Sequence, residues 1–388
     1  MLKQKLFFPN LDGLRFIAFL VVFIGHSFSF LGYNNSSKVY NLFVAHFLNH
    51  ADLGVNFFFV LSGFLITHLL LLEQQLTGTV SIKRFYLRRM LRIWPVYFIV
   101  VAVGFLLIPN LSFLTPIKSQ LHFPIDITRN RLPFYLFFLA NNDILFNGIT
   151  SLIVTVLWSV SVEEQFYLIW PLILSSLPLK RLPAILISIL VISFIYRFCM
   201  YQDSGALRYS SFSVMSDLAT GALVSYYCFT RSSFTYFIEN LSRRQLIMGY
   251  LIGMCFIPLS GFSHIFGPTV FQYICPFEAT LFSIFFAFVI LEQNYAKNSF
   301  YKMGKNKQFT ELGKISYGLY SYHMIAALAI LSVSIYFNFA GLLHAKWLFV
   351  FEIILSLTVT IMLSKLSYAW IEKKCINLKN NLSVITKE

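Results

Sequence analysis

Charge is scarce in this sequence. Of 388 residues 12% are charged, and only 16 are Asp or Glu; a soluble domain carries about 25% charged residues. So little charge excludes a disordered chain, a collagen and a coiled coil. Cysteine is equally thin. Cys199, Cys228, Cys255, Cys275 and Cys375 are odd in number, widely scattered and without a Cys-x-x-Cys, which leaves no disulfide framework and no thiolate zinc site. Three of them (Cys199, Cys228 and Cys255) fall inside apolar runs, where cysteine serves as a small packing residue. No pair among the eight His has ligand spacing with a third ligand nearby, so no metal is expected. No internal repeat is visible either.

What the chain does have is apolar bulk: 57% hydrophobic and 18% aromatic residues, including 44 Phe and 21 Tyr, and a mean hydropathy of +0.71. One soluble core of this size cannot bury them all. The composition is that of an all-α polytopic membrane protein. Runs long enough to cross a bilayer, about 20 residues each, number ten: 14–32, 52–72, 92–109, 150–178, 182–201, 212–229, 244–262, 270–292, 314–337 and 345–371. Pro133–Ala140 is too short to cross and reads as re-entrant or interfacial. The first run lacks a cleavage site and is expected to be a retained helix.

The net charge is +14, which in a soluble protein would suggest nucleic acid. Here it gives an orientation instead. With the N-terminus inside, 21 of the 30 Lys and Arg fall in cytoplasmic segments, six fall in outer loops (Lys38, Lys118, Arg129, Arg131, Arg208 and Lys346), and Arg15, Arg197 and Lys365 lie within spans. That asymmetry predicts two cytoplasmic termini and an even number of spans. The longest outer loop, 110–149, reads as either part of a binding site or plain structure.

Ionisable groups inside a span are costly and therefore candidates for function. Arg15 and His26 are eleven residues apart, within about 20° of a whole number of helical turns, so they share a face about 16 Å apart along the axis. A snorkelling Arg and a His bonded to a neighbouring helix is the structural alternative. Arg88 and Arg92 share a face beside Arg89 in the segment 81–98, which suits either a positive-inside anchor or a phosphate clamp. Glu163 and Glu164 lie midway through the fourth span and point about 100° apart, so one can face a polar cavity while the other pairs elsewhere. His68, Asp217 and Glu278 read as structural pairings.

Five segments occur in order: LDGLRFIAFLVVFIGH (11–26), DLGVNFFFVLSGFLIT (52–67), FYLRRMLRIWPVYF (85–98), WSVSVEEQFYLIWP (158–171) and ISYGLYSYH (315–323). Together they resemble acyltransferase family 3, the integral-membrane O-acyltransferases that modify bacterial glycans, over nearly the whole chain. The family's Arg-x10-His motif falls on Arg15 and His26, its Arg-x-x-Arg motif on Arg89 and Arg92, and its acidic position on Glu163. Asn56 stands where the family often has an acidic residue, and Glu372, Lys373 and Lys374 replace a frequent Glu-x-Pro.

The resemblance implies a single transmembrane acyltransferase domain over 1–388, without an SGNH-hydrolase-like domain, in the bacterial inner membrane. It implies transfer of an acyl group, most simply acetyl, from cytoplasmic acyl-CoA to a hydroxyl of a carbohydrate acceptor. Arg15, Arg89 and Arg92, with Arg88, would hold the nucleotide phosphates. His26 would act as base or as nucleophile, and Glu163 would orient its imidazole. His323 and Glu164 are left as acceptor-side or structural residues. Lipid is the expected surrounding and nucleic acid is not an expected partner. The rival reading is a secondary transporter of acyl groups or small anions, with Glu163 and Glu164 as its coupling site.

Overall fold

The computed structural model describes residues 8–30, 44, 48, 50–114, 125, 127–149, 151–263, 268–339 and 345–380. Lys38, Lys118 and part of the loop 110–149 lie outside the described residues. The described chain is helical, with no strand among its described residues. Its long helices follow the apolar runs because a segment in lipid must satisfy its backbone polar groups internally.

In chain order, α1 spans Pro9–Phe30, α2 Ala51–Thr77 and α3 Ile82–Ala102, and α3 continues through a π turn (Val103–Leu107). Two short helices follow, α4 (Leu132–Leu136) and α5 (Ala140–Asn147), and a single helical turn (Leu152–Thr155) then leads into α6 at Leu157–Ser176. Next come α7 (Leu182–Cys199), α8 (Ser204–Tyr209), α9 (Ser211–Thr230), α10 (Ser232–Glu239), α11 (Arg243–Ser263) and α12 (Pro268–Tyr295). The described chain closes with α13 (Lys307–Lys314), α14 (Ser316–Tyr336) and α15 (Ala345–Ser367), which runs through a π turn (Tyr368–Glu372) into α16 (Lys373–Asn380).

Among the described residues, eight helices are long and apolar enough to span a bilayer. The protein is a multi-pass membrane protein. Helices α9 and α11 stand at the other two expected spans. Helix α9 is the polar one, since Ser213, Ser216, Asp217, Thr220 and Ser225 on it are all buried. Three of these groups, Ser213, Ser216 and Asp217, meet partners on neighbouring helices. Arg197 of α7 donates to Ser213 Oγ (3.2 Å) and Ser216 Oγ (2.5 Å), and Asp217 accepts from Ser283 of α12.

Helices α2 and α9 cross with their backbones touching. A Cβ at Gly63 would overlap the carbonyl oxygen of Leu218, and one at Gly221 would overlap that of Val60. Small residues at a crossing let two helices in lipid gain close van der Waals packing, which replaces the hydrophobic drive they lack.

The Pro133–Ala140 segment turns back without crossing. Phe138 takes a left-handed φ of 55°, unusual for a bulky residue, and this reversal links α4 to α5. It is held by Gln165, which donates to the Phe138 carbonyl (2.9 Å), and by the packing of its ring on Tyr97, Trp94 and Phe98.

Helix α1 begins five residues before the expected span.

The α2–α9 crossing makes a testable case. Gly221→Leu should lower the melting temperature of the detergent-solubilised protein sharply or prevent its accumulation, since overpacking a core costs about 1–3 kcal/mol even where side chains can move. The exposed Cys199→Ala should leave it unchanged.

Candidate active site

A cavity of about 1700 Å³, its open side included, runs between α1, α2, α3, α6 and α14. Four arginines reach it. Arg15 comes from the first turns of α1, and Arg88, Arg89 and Arg92 come from α3. Ser62, Glu73, Ser159, Glu163, Tyr167 and the α14 residues Ser316, Tyr317 and Tyr320 complete its polar lining.

The arginines differ in how they are held. Arg15 is buried and pairs with Asp12, one turn earlier. Arg88 Nη2 bonds to Glu73 Oε2 at 2.7 Å, and the other oxygen of Glu73 takes the Ser81 amide at 3.1 Å. Arg89 has no carboxylate in ion-pair range among the described residues; its guanidinium lies over the rings of Tyr167 (5.4 Å) and Phe85 (5.6 Å), and its Nε has no hydrogen bond. Arg92 also lacks a carboxylate in ion-pair range among the described residues. Two guanidiniums paired with carboxylates and two without an ion-pair partner among the described residues make a site for an anion, because guanidinium matches phosphate with paired donors.

Glu163 faces this wall. Ser62 donates to its Oε1 (2.8 Å) and Tyr167 to its Oε2 (2.9 Å). Both oxygens are thus engaged, and neither bonds to His26. The expected Glu163–imidazole pair is absent because α6 turns this carboxylate towards α2. Glu164 points elsewhere, as adjacent helical residues must. It accepts from Trp94 Nε1 at 3.3 Å, and its Oε1 has no partner.

His26 pairs with His323 instead. His26 Nδ1 and His323 Nε2 are 2.8 Å apart, and His323 Nδ1 lies 2.6 Å from the carbonyl oxygen of Tyr320. His323 is 1% exposed and in edge contact with Phe19. Tyr320, one turn away on α14, lines the cavity and shares a 2.7 Å hydrogen bond with Ser159. The histidine pair thus sits one helical turn beyond the cavity's α14 wall. His68, by contrast, is enclosed by the rings of Phe8, Phe64 and Phe229. Among the described residues no group of three or more His, Cys, Asp or Glu could hold a metal ion.

Sequence reasoning did not single out Ser62, Tyr167 or Tyr320. Tyr167 carried a signal, since it stands four residues after Glu163 and such residues meet on a helix. Ser62 carried none.

Comparison with known proteins decides the family. A family model described as an acyltransferase domain, acyltransferase family 3, matches residues 8–366. The chain belongs to this family. It is 28% identical over 338 residues to the peptidoglycan O-acetyltransferase OatA of Listeria monocytogenes, which covers 82% of this chain and 49% of that protein. It is 27% identical over 385 residues to the O-acetyltransferase OatA of Staphylococcus aureus, covering 94% of this chain and 57% of that one. The chain therefore spans about half the length of these curated relatives. No solved structure matches it.

The Glu163 contacts can be tested on stability. Glu163→Leu takes the carboxylate from both hydroxyls, leaves them only each other (Tyr167 Oη to Ser62 Oγ, 3.1 Å) and removes an acid from beside Arg89 and Arg92; it should cost about 1–3 kcal/mol, read as a lower melting temperature in detergent. Glu163→Gln keeps hydrogen-bonding capacity towards Ser62 and Tyr167 and should cost markedly less.

Proposed function

We propose that this protein is a membrane O-acyltransferase that moves an acetyl group from cytoplasmic acetyl-CoA to a hydroxyl of a cell-envelope glycan. In this reading the chain is a single acyltransferase domain of ten spans in the bacterial cytoplasmic membrane, with both termini inside. Helices α9 and α11 are the two spans beyond the eight most apolar ones. The observation that carries the reading is the cavity itself, with arginines along one wall and the His26–His323 pair one helical turn beyond another.

Membership of the acyltransferase family supports an acyl donor, and the arginine wall supports one that is anionic and phosphate-bearing. Arg89 and Arg92 would take the phosphates directly. Arg15 and Arg88, already paired with carboxylates, would raise the local potential and shape the mouth. Glu163 would act on this wall rather than on His26: it holds Tyr167, whose ring carries the Arg89 guanidinium. The pantetheine arm would extend along α1 over the roughly 16 Å that separates Arg15 from His26.

At the far end, His26 handles the proton of the reaction. A neutral imidazole suits this work because one of its ring nitrogens carries a lone pair that can take a proton. As the acceptor oxygen attacks the thioester carbon, its proton passes to His26. When the tetrahedral intermediate collapses, the carbon–sulfur bond breaks and the departing CoA sulfur takes that proton. The products are an acetyl ester and CoA thiol, and His26 is restored.

The Listeria monocytogenes relative, named a peptidoglycan O-acetyltransferase, favours a peptidoglycan-type acceptor for this chain too. No internal repeat in the sequence, and no matched pair of broken helices among the described residues, features common in transporters, supports the transporter reading.

The test is direct. Purified protein in nanodiscs should hydrolyse or transfer acetyl from labelled acetyl-CoA. His26→Ala should abolish this while leaving the protein inserted and abundant. Arg89→Ala and Arg92→Ala should raise KM for acetyl-CoA about tenfold or more, since each removes a charged hydrogen bond, with a smaller change in kcat. Wild-type turnover in His26→Ala would overturn the histidine mechanism, and absence of any acetyl-CoA turnover would overturn the donor.

A further inference from the structure

The contact between His26 and His323 is a hydrogen bond in the plane of both rings. The ring planes agree to within 1°, the facing nitrogens are 2.8 Å apart and the centroids are 5.1 Å apart. A centroid separation that exceeds the nitrogen separation by about a ring radius at either end means the rings meet edge to edge, with N–H aimed at N. They are not stacked face to face.

The direction of that bond follows from the next one. The Tyr320 carbonyl can only accept, so the His323 Nδ1 at 2.6 Å from it must carry a hydrogen. In a neutral imidazole the other nitrogen then has the lone pair. His323 Nε2 is therefore an acceptor, and His26 Nδ1 must be the donor. With its hydrogen on Nδ1, neutral His26 is left with a lone pair on Nε2. Three groups in series, a helix carbonyl and two imidazoles, thus set which nitrogen of His26 is basic.

We propose that His323 is a positioning residue for His26. It fixes the Nδ1–H tautomer and the ring orientation of His26, so that Nε2 is the atom that accepts the hydroxyl proton. This rests on the reading of His26 as the group that handles that proton. The part His323 plays is the one a carboxylate plays in a hydrolase triad, where loss of the correct tautomer costs about 10⁴ in kcat. Unlike a carboxylate, His323 does this without placing a negative charge in the bundle. It need not change its own protonation in the cycle: when His26 gains a proton on Nε2, its Nδ1–H still donates to His323.

His323 is well placed to be rigid. It is 1% exposed, Phe19 abuts it, and its carbonyl anchor belongs to Tyr320, which is itself tied to Ser159 and to the Val156 carbonyl at 3.0 Å. The chain of contacts runs from α1 through α14 to α6. A residue needed only to fill space here could be any apolar side chain of similar size.

Two measurements on the full chain in nanodiscs test the proposal. The first is the ring ¹⁵N spectrum of histidine-labelled protein, assigned by the signals lost in His26→Ala and His323→Gln. Wild-type His26 should show a protonated Nδ1 and a lone-pair Nε2; a His26 protonated on Nε2 alone would overturn the proposal without touching the donor or the reaction. The second is acetyl-CoA turnover. His323→Gln offers an amide oxygen to His26 Nδ1–H and should keep kcat within about tenfold of wild type. His323→Phe offers no acceptor and should lose about a hundredfold or more in kcat, with KM for acetyl-CoA unchanged because the arginine wall is untouched. Full kcat in His323→Phe would overturn the proposal, as would equal losses in the Gln and Phe variants. Since the tautomer is read on wild-type protein, poor folding of a variant does not decide the question. Full turnover in His26→Ala would sink the parent reading, and with it this one, whatever the tautomer.

Discussion

The structure depends on keeping four guanidinium groups inside a helical bundle that has few acids to offset them. Taking an unpaired charge out of water costs several kcal/mol, so the arrangement around Arg15, Arg88, Arg89 and Arg92 governs much else. Asp12 and Glu73 meet two of the four. The faces of Tyr167 and Phe85 meet a third. Glu163 then fixes Tyr167 and adds its own charge on the opposite side of the space. In a chain with only 16 Asp and Glu, three acids at one cavity are a large commitment.

That commitment also explains the division of labour between α3 and α6. Helix α3 supplies cations and α6 supplies the carboxylate and phenol that keep them in place. Trp94 of α3 bonds to Glu164 of α6 as well, so the two adjacent glutamates of α6 reach separate partners, one across the cavity and one on α3. Helix α14 forms a further wall with tyrosines, and its His323 extends the polar path to α1.

The positions of the long helices were legible from apolar runs, because a lipid-embedded helix has to be about 20 residues long and apolar. The shared face of Arg15 and His26 was legible from an eleven-residue spacing, and so was the divergence of Glu163 from Glu164. Their partners were not. His26 meets a residue 297 positions away, and Glu163 meets Ser62, 101 positions away; periodicity reports faces within a helix and carries no information about which helix lies opposite. The start of α1 was misplaced because Pro9 and Asn10 are too polar to join an apolar run, although proline is at ease in a first helical turn. That Pro133–Ala140 does not cross was legible from its length, but the residue on which it turns, Phe138, was not. A left-handed turn usually announces itself with Gly or Asn, and here a Phe occupies it, held by Gln165 and three aromatic rings.

The close crossing of α2 and α9 has a consequence for the cavity. Where Gly63 meets the Leu218 carbonyl and Gly221 that of Val60, backbone lies on backbone, and neither helix can slide along the other without a clash. Ser62, whose hydroxyl meets Glu163 in the cavity, is the chain neighbour of Gly63. The crossing therefore acts as a registration mark: it sets the height at which α2 offers that hydroxyl to α6.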